Sequence, residues 1–311
     1  MIVPGITSTM MGFWYSDAKL LNAGQCAMND ATDRNLKRKS VFIDDVQLVD
    51  GVPLFSWIDV NVTELCNRTC SFCPRGDQTK YSNQNLNMSL DLAERIAHEL
   101  FDLDYAGTVV FSGFGESLLH PNLLSIINKF AGTARLELVT NGDRLDEETI
   151  RALYVAGIGF FAVSLYDGPE QLDDFHVRFE EAGVSQECYI LRDRWHSEGD
   201  GFGLKLTNRA GMVNVGKQPP VDTHHPCFYT AYSLAIDWNG DVLLCVQDWN
   251  KRKVFGNLYD QSLLEVWKHN KDLNGMRNRL IGGKRIDLPC ALCNAEGTVH
   301  GANHAKAWGR L

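Results

Sequence analysis

The chain has 311 residues, 44% of them hydrophobic and 22% charged, with a formal net charge of −9. Those values suit one large globular domain, or one with a smaller companion. The acidic balance and the lack of a lysine–arginine run exclude a long electrostatic footprint on nucleic acid. Met1 to Tyr15 lacks the basic and apolar regions of a signal peptide, and no apolar run reaches the roughly 18–20 residues of a membrane span. The expectation is a cytoplasmic protein without nucleic-acid or membrane partners. Nine cysteines there point to metal or catalysis rather than disulfides.

Residues 1–54 read as an N-terminal extension. Asp50-Gly51 lies between two alternating runs, Val41 to Val49 and Val52 to Ile58, which predicts a hairpin. Cys26, among polar residues, reads as an incidental thiol. From Trp57 onward the predicted strands are Trp57–Val62, Thr108–Ser112, Arg135–Thr140, Gly159–Leu165, Gln186–Leu191 and Phe202–Leu206. Between them lie helical patterns: one N-capped by Ser89 with Leu92, Ile96 and Leu100 on its apolar face, then Leu123–Phe130, Glu147–Ala156 and Pro169–Ala182. Strands separated by helices predict an α/β fold with a parallel sheet and ligands at the carboxyl ends of its strands. Six units fall short of the eight that close a full barrel. Asn239-Gly240, between Leu234–Trp238 and Asp241–Leu244, predicts a two-residue hairpin turn.

Two cysteine sets carry the chemistry. Cys66, Cys70 and Cys73 follow the first strand. Three such thiolates can hold three corners of a 4Fe–4S cube and leave the fourth iron open. A zinc site or scattered core thiols are the alternatives, although no second cysteine pair nearby completes a zinc knuckle. Cys227, Cys245, Cys290 and Cys293 form the second set, suited to zinc or to a 4Fe–4S cluster. Cys188 and Cys26 are left over.

The triplet, with aromatic Phe72 before its last cysteine, resembles the CxxxCxxC signature of radical S-adenosylmethionine (SAM) enzymes. The resemblance implies a partial (β/α)6 TIM-like barrel over residues 55–215. Gly113, Gly115 and Glu116 stand where that family has its SAM-contacting GGE motif, with Phe114 replacing the middle glycine. Glu116 could instead cap the helix beginning near Pro121. Ser164 and Asn141 become candidates for the SAM ribose, and Arg192 for its carboxylate. The alternative for Arg192 and Arg194 is a solvated strand end.

The second set resembles the shortened SPASM, or twitch, domain of radical SAM dehydrogenases, an α+β domain over residues 216–311. It implies two 4Fe–4S clusters and SAM as cofactors, with an external electron donor such as flavodoxin or ferredoxin. Reductive cleavage of SAM would give a 5′-deoxyadenosyl radical that takes a hydrogen atom from a small polyhydroxylated substrate, such as a cyclitol, aminoglycoside or sugar. Oxidation of an alcohol carbon would follow, with the second cluster as electron acceptor. Arg209 is the candidate for the substrate hydroxyl or its proton, against a structural salt bridge. The other reactions open to the sequence are epimerisation with Cys188 as hydrogen donor, against a small buried residue, and maturation of a peptide. A non-catalytic iron–sulfur carrier is a further reading. His300 and His304, four residues apart, read as a solvated tail rather than a metal pair.

Overall fold

The computed structural model of the chain describes residues 30–310; Cys26 and most of the N-terminal extension lie outside them. Helix α1 (Asp30–Ile43) is followed by a hairpin of β1 (Leu48–Val49) and β2 (Val52–Pro53). Asp50 and Gly51 turn it with φ of 51° and 78°, the paired positive values that match the twist of antiparallel strands. The expected hairpin is therefore present but short. Val41 to Ile43, read as strand, complete α1 instead.

Strand β3 (Trp57–Val60) opens the main sheet. It is followed by α2 (Leu90–Asp102), β4 (Thr108–Phe111), α3 (Leu123–Phe130), β5 (Arg135–Thr140), α4 (Glu147–Val155), β6 (Ile158–Leu165), α5 (Gln171–Glu181) and β7 (Tyr189–Asp193). Strands β3 to β7 are parallel neighbours in sequence order. The sixth unit differs from the expectation. Phe202–Leu206 forms no strand, because Gly201, Phe202 and Gly203 all take left-handed φ (65°, 54° and 65°), which an extended strand excludes. Gln186 to Cys188 likewise form a single 3-10 turn ahead of β7.

After α6 (Tyr229–Tyr232), β8 (Ser233–Ile236) pairs in parallel with β3 on its free side, Trp57 facing Ser233. Strands β9 (Asp241–Leu243) and β10 (Val254–Asn257) extend that edge antiparallel. The eight strands run β10-β9-β8-β3-β4-β5-β6-β7. One sheet thus runs across the expected boundary at residue 215. The β8–β9 turn is Trp238-Asn239-Gly240, closed by Asp237 N–H donating to the Asp241 carbonyl (2.9 Å), one residue longer than predicted.

One face of the sheet builds the main core. Ile58, Val60, Val109, Phe111, Leu138, Phe161 and Val163 meet the apolar faces of α2 to α5. Ser89 caps α2 by accepting from Leu92 N–H. The opposite face is lined by Trp57, Val110, Phe160 and Ala162, and α1 packs against it. From α1, Arg38 donates to buried Glu137 (2.8 Å) and lies 3.5 Å from the Phe160 ring centre. Lys39 sits 4.5 Å from that of Trp57. This charged helix plugs the inner face of the sheet.

Helices α7 (Leu263–His269), α8 (Lys271–Ile281) and α9 (Ala302–Trp308) complete the chain. Trp267, fully buried, donates to the Pro53 carbonyl (2.7 Å). Buried Arg277 is held between the rings of Trp267 and Trp308 at 4.2 and 3.9 Å. His304 is fully buried in α9, so the tail is a docked helix rather than a solvated one, and burial takes His300 and His304 down to about 4. Trp267→Ala should destabilise the protein by about 3–5 kcal/mol in urea unfolding of the reduced chain. A loss below ~1 kcal/mol would contradict this packing.

Candidate active site

The cysteine triplet lies on the loop leaving the carboxyl end of β3. Asn83 pins its start, accepting from Cys66 N–H (2.9 Å) and donating to the Cys66 carbonyl (3.0 Å). Arg68, inside the motif, pairs with Asp143 after β5 (2.5 Å) and Asp167 after β6 (2.6 Å), with the Tyr166 ring centre 4.6 Å away. Asn67 donates to Asp143 (2.6 Å) and accepts from Asn141 (2.8 Å). The loop is thereby strapped over the ends of two other strands. Phe72 stacks on Tyr166 at 6.2 Å and meets Phe202 at 5.0 Å.

Burial pushes all three thiols up, Cys70 to about 11, and Cys66 and Cys70 each feel at least one of the other two. The residues therefore fit a group that replaces their protons, since metal ligation turns buried thiols into neutralised thiolates.

Beside this loop runs Gly113-Phe114-Gly115-Glu116. Asn61 Oδ1 accepts from Phe114 N–H (3.0 Å) and Gly115 N–H (3.3 Å). A β-carbon on Gly115 would stand 2.0 Å from the Thr63 carbonyl oxygen, so only glycine lets this turn pack on the cysteine loop. Glu116 is buried. Its carboxylate accepts from Leu118 N–H (3.1 Å), Thr140 Oγ1 (2.8 Å) and Asn141 N–H (2.7 Å). It caps a turn at Ser117–Leu119 rather than a helix near Pro121, and ties that turn to the end of β5.

Ser164 and Arg192 are cross-strand neighbours, and Arg192 Nη2 donates to Ser164 Oγ (2.8 Å). Buried Arg192 Nε has no partner among the described residues, which leaves a donor for an anionic ligand. Arg194 is buried too, donating to the Asp193 and Gly203 carbonyls (2.6 and 2.7 Å). Neither is a solvated strand end. Burial lowers both, Arg194 to about 10.

Cys227 precedes α6, Cys245 follows β9, and Cys290 and Cys293 lie at a single 3-10 turn after α8. Burial raises each, Cys227 to about 11 and Cys290 to about 12; Cys245 feels the other three thiols, Cys290 feels Cys227 and Cys293, and Cys227 feels Cys293. Among the described residues no His, Cys, Asp or Glu set is arranged to hold a single metal ion.

Arg209, half-buried with φ of 47°, acts electrostatically on Cys73 of the first set and Cys293 of the second. No ion pair among the described residues includes it, which removes the salt-bridge alternative. Cys188 belongs elsewhere. It precedes β7 at the amino end, buried in the helix-side core with Ser185 Oγ 3.6 Å from its sulfur. The small-buried-residue reading fits it, and epimerisation loses its hydrogen donor.

One constellation went unread in the sequence. Lys251 Nζ donates to both Glu64 and Asp237 (2.5 Å to the latter). Asn61 Nδ2 joins the same two carboxylates (3.2 and 2.7 Å), and Arg75, two residues past Cys73, pairs with Glu64 (3.0 Å). Arg75 Nε also donates to the Phe114 carbonyl (2.6 Å). Phe114 itself packs with Ala235, Leu243 and Trp249, its ring 5.0 Å from that of Trp249. The residue that departs from the GGE pattern thus fills the seam between the barrel and the second cysteine segment.

This chain belongs to the radical SAM superfamily, whose model matches residues 60–189, and a SPASM iron–sulfur cluster-binding domain matches residues 227–294. Both domains imply iron–sulfur clusters, and the first implies SAM. Among curated relatives, the S-adenosyl-L-methionine-dependent 2-deoxy-scyllo-inosamine dehydrogenase of Niallia circulans is 31% identical over 247 residues, covering 78% of this chain and 93% of its own. The crystal structure of BtrN with AdoMet and 2-DOIA matches with a TM-score of 0.68 at 28% identity, covering 82% of this chain and 98% of BtrN. Selenomethionine BtrN in an open conformation matches at 0.58 and 26% identity, with 78% and 93% covered. The partial parallel barrel and the oxidoreductase class of the sequence reading both stand. Among the described residues, no helix is long and apolar enough to cross a membrane.

Lys251→Met would leave two buried carboxylates facing each other, at a cost of about 3–5 kcal/mol. Burial already raises Asp237, and the Lys251 charge is the first influence pulling it back. Without Lys251 the Asp237 carboxyl should rise further, so the folded state of the variant binds a proton that the unfolded chain releases. Its deficit should be greatest at pH 7 and above and shrink as pH falls toward 5. Urea unfolding across that range checks this; a pH-independent deficit would contradict it.

Proposed function

We propose that this chain is a radical SAM dehydrogenase that oxidises an alcohol carbon of a small polyhydroxylated ring, a cyclitol, aminoglycoside or sugar. The observation that carries the reading is the position of Arg209. Its charge acts on one cysteine of each set while no carboxylate among the described residues pairs with it, which supports a role between the two sets. When bound, two 4Fe–4S clusters and SAM supply a hydrogen-abstracting 5′-deoxyadenosyl radical and an acceptor for the electron that the substrate gives up.

The chain's own residues then have separable tasks. Cys66, Cys70 and Cys73 hold the first cluster, and Cys227, Cys245, Cys290 and Cys293 the second. The Gly113–Gly115 backbone, with Phe72, Asn141 and Ser164, cradles SAM, while Glu116 fixes that turn. Arg192 offers its unpaired Nε–H to the SAM carboxylate, the charge-assisted pairing in which a guanidinium is strongest. Arg209 holds the substrate hydroxyl and stabilises negative charge as its proton leaves. The 31% identity to a cyclitol dehydrogenase supports the substrate class, and an external donor such as flavodoxin or ferredoxin delivers the initiating electron.

Arg209→Ala should retain the iron of both clusters and still release 5′-deoxyadenosine. Formation of ketone from 2-deoxy-scyllo-inosamine, followed by mass spectrometry, should fall roughly 10²–10³-fold, the usual effect of losing one donor at a developing anion. Unchanged product formation would remove Arg209 from the reaction.

A further inference from the structure

Arg285 is a buried cation for which the described residues provide no counter-charge. It is 3% exposed. Its donors go to neutral acceptors: Nε to the His225 carbonyl (2.7 Å), Nη1 to that of Ala295 (2.6 Å), and Nη2 to those of Pro226 (2.7 Å) and Glu296 (2.8 Å). Among the described residues its guanidinium has one further hydrogen-bond partner, His225 Nδ1 at 3.5 Å. Of the carboxylates near it, Glu296 is engaged with Lys205 at 3.6 Å and Asp287 with Arg279 at 2.9 Å, while exposed Asp222, on the same cavity wall, accepts from His224 N–H (2.8 Å). Hydrogen bonds to carbonyls position a guanidinium but leave its charge in place, and a buried charge without an opposite one is costly.

The surrounding sequence aims this charge at the second cysteine set. His225 and Pro226 precede Cys227, and Ala295 and Glu296 follow Cys293. Gly297, at φ of 75°, passes between the guanidinium and a sulfur. A β-carbon there would stand 2.7 Å from Cys227 Sγ and 2.8 Å from Arg285 Nη2, so only glycine lets the two stand side by side.

We propose that Arg285 is the counter-charge of the second iron–sulfur cluster and raises its reduction potential, making it a better electron acceptor. The inference rests on the two-cluster reading above and deepens it. Four thiolates around a 4Fe–4S core carry net negative charge, and reduction adds one electron more. A fixed cation within the ligand shell stabilises the reduced state most, because Coulomb attraction grows with the opposing charge and the site is buried. Charge beside a cluster and hydrogen bonding around it are among the known determinants of such potentials.

The experiment is an anaerobic redox titration of reconstituted full-length holoenzyme, following each cluster by EPR with iron counted. It compares wild type, Arg285→Gln and Arg285→Lys. Arg285→Gln should titrate at a more negative potential for the second cluster alone, with the reduced fraction at a fixed poise falling at least tenfold relative to the oxidised one, about 59 mV for a one-electron couple. Arg285→Lys should stay near wild type. If Arg285→Gln loses only the second cluster while Arg285→Lys keeps it at the wild-type potential, the charge is again what matters. An unchanged potential in loaded Arg285→Gln overturns the proposal. So does equal loss or an equal shift in both variants, which would make Arg285 a matter of shape. A wild type carrying one cluster would instead sink the two-cluster reading itself.

Discussion

A lysine ammonium between two buried carboxylates holds this molecule in register. Lys251 follows Cys245 by six residues and reaches Glu64, which precedes Cys66 by two, and Asp237 in the β8–β9 turn. Through Asn61 and Arg75 the same cluster extends to the Gly113–Gly115 turn and the exit of the cysteine loop. Such ion pairs rarely add net stability over an apolar core, because desolvation offsets the attraction. Their value here is geometric. Each charge is satisfied only when the first cysteine loop, the glycine turn and the second cysteine segment sit in one arrangement. The backbone reflects this constraint, since Lys251 takes a left-handed φ of 49° while Asp248 accepts from the N–H groups of Arg252 and Lys253 (3.1 and 2.9 Å).

The sheet serves the same end from the other direction. Because β8 pairs with β3, Asp237, the residue just past β8, lies beside the end of the strand that feeds the first cysteine loop. The first cysteine loop and Cys245 of the second set are thus both carried on strands of one continuous sheet. Helix α1 then fills the inner face with Arg38 and Lys39, whose partners are Glu137 and the Trp57 ring.

Much of this was legible locally. The cysteine spacings, the Ser89 cap, the Asp50-Gly51 turn and strand β5 are fixed by neighbours a few residues apart. What was not legible depends on partners far along the chain. Asn61 and Asp237 are separated by 176 positions, and no single-sequence pattern announces their bond. Val41 to Ile43 resemble a strand by composition, yet Arg38 and Lys39 packing against the sheet hold them in α1, a tertiary override of local preference. Phe202–Leu206 alternates as a strand would, but the left-handed Gly201 and Gly203 break it. The spacing of the second cysteine set is legible in the sequence while the buried cation beside it was missed, since Arg285 looks like an ordinary surface arginine until its four carbonyl partners close around it.

The measurement closest to the centre of this account is 5′-deoxyadenosine release from SAM by anaerobically reconstituted protein, beside a Cys66/Cys70/Cys73→Ala variant with iron counted in both. The account predicts release by the wild type, none by the variant, and retention of about half the iron, held by the second cysteine set. Cleavage of SAM by the variant, or a variant stripped of all its iron, would contradict it.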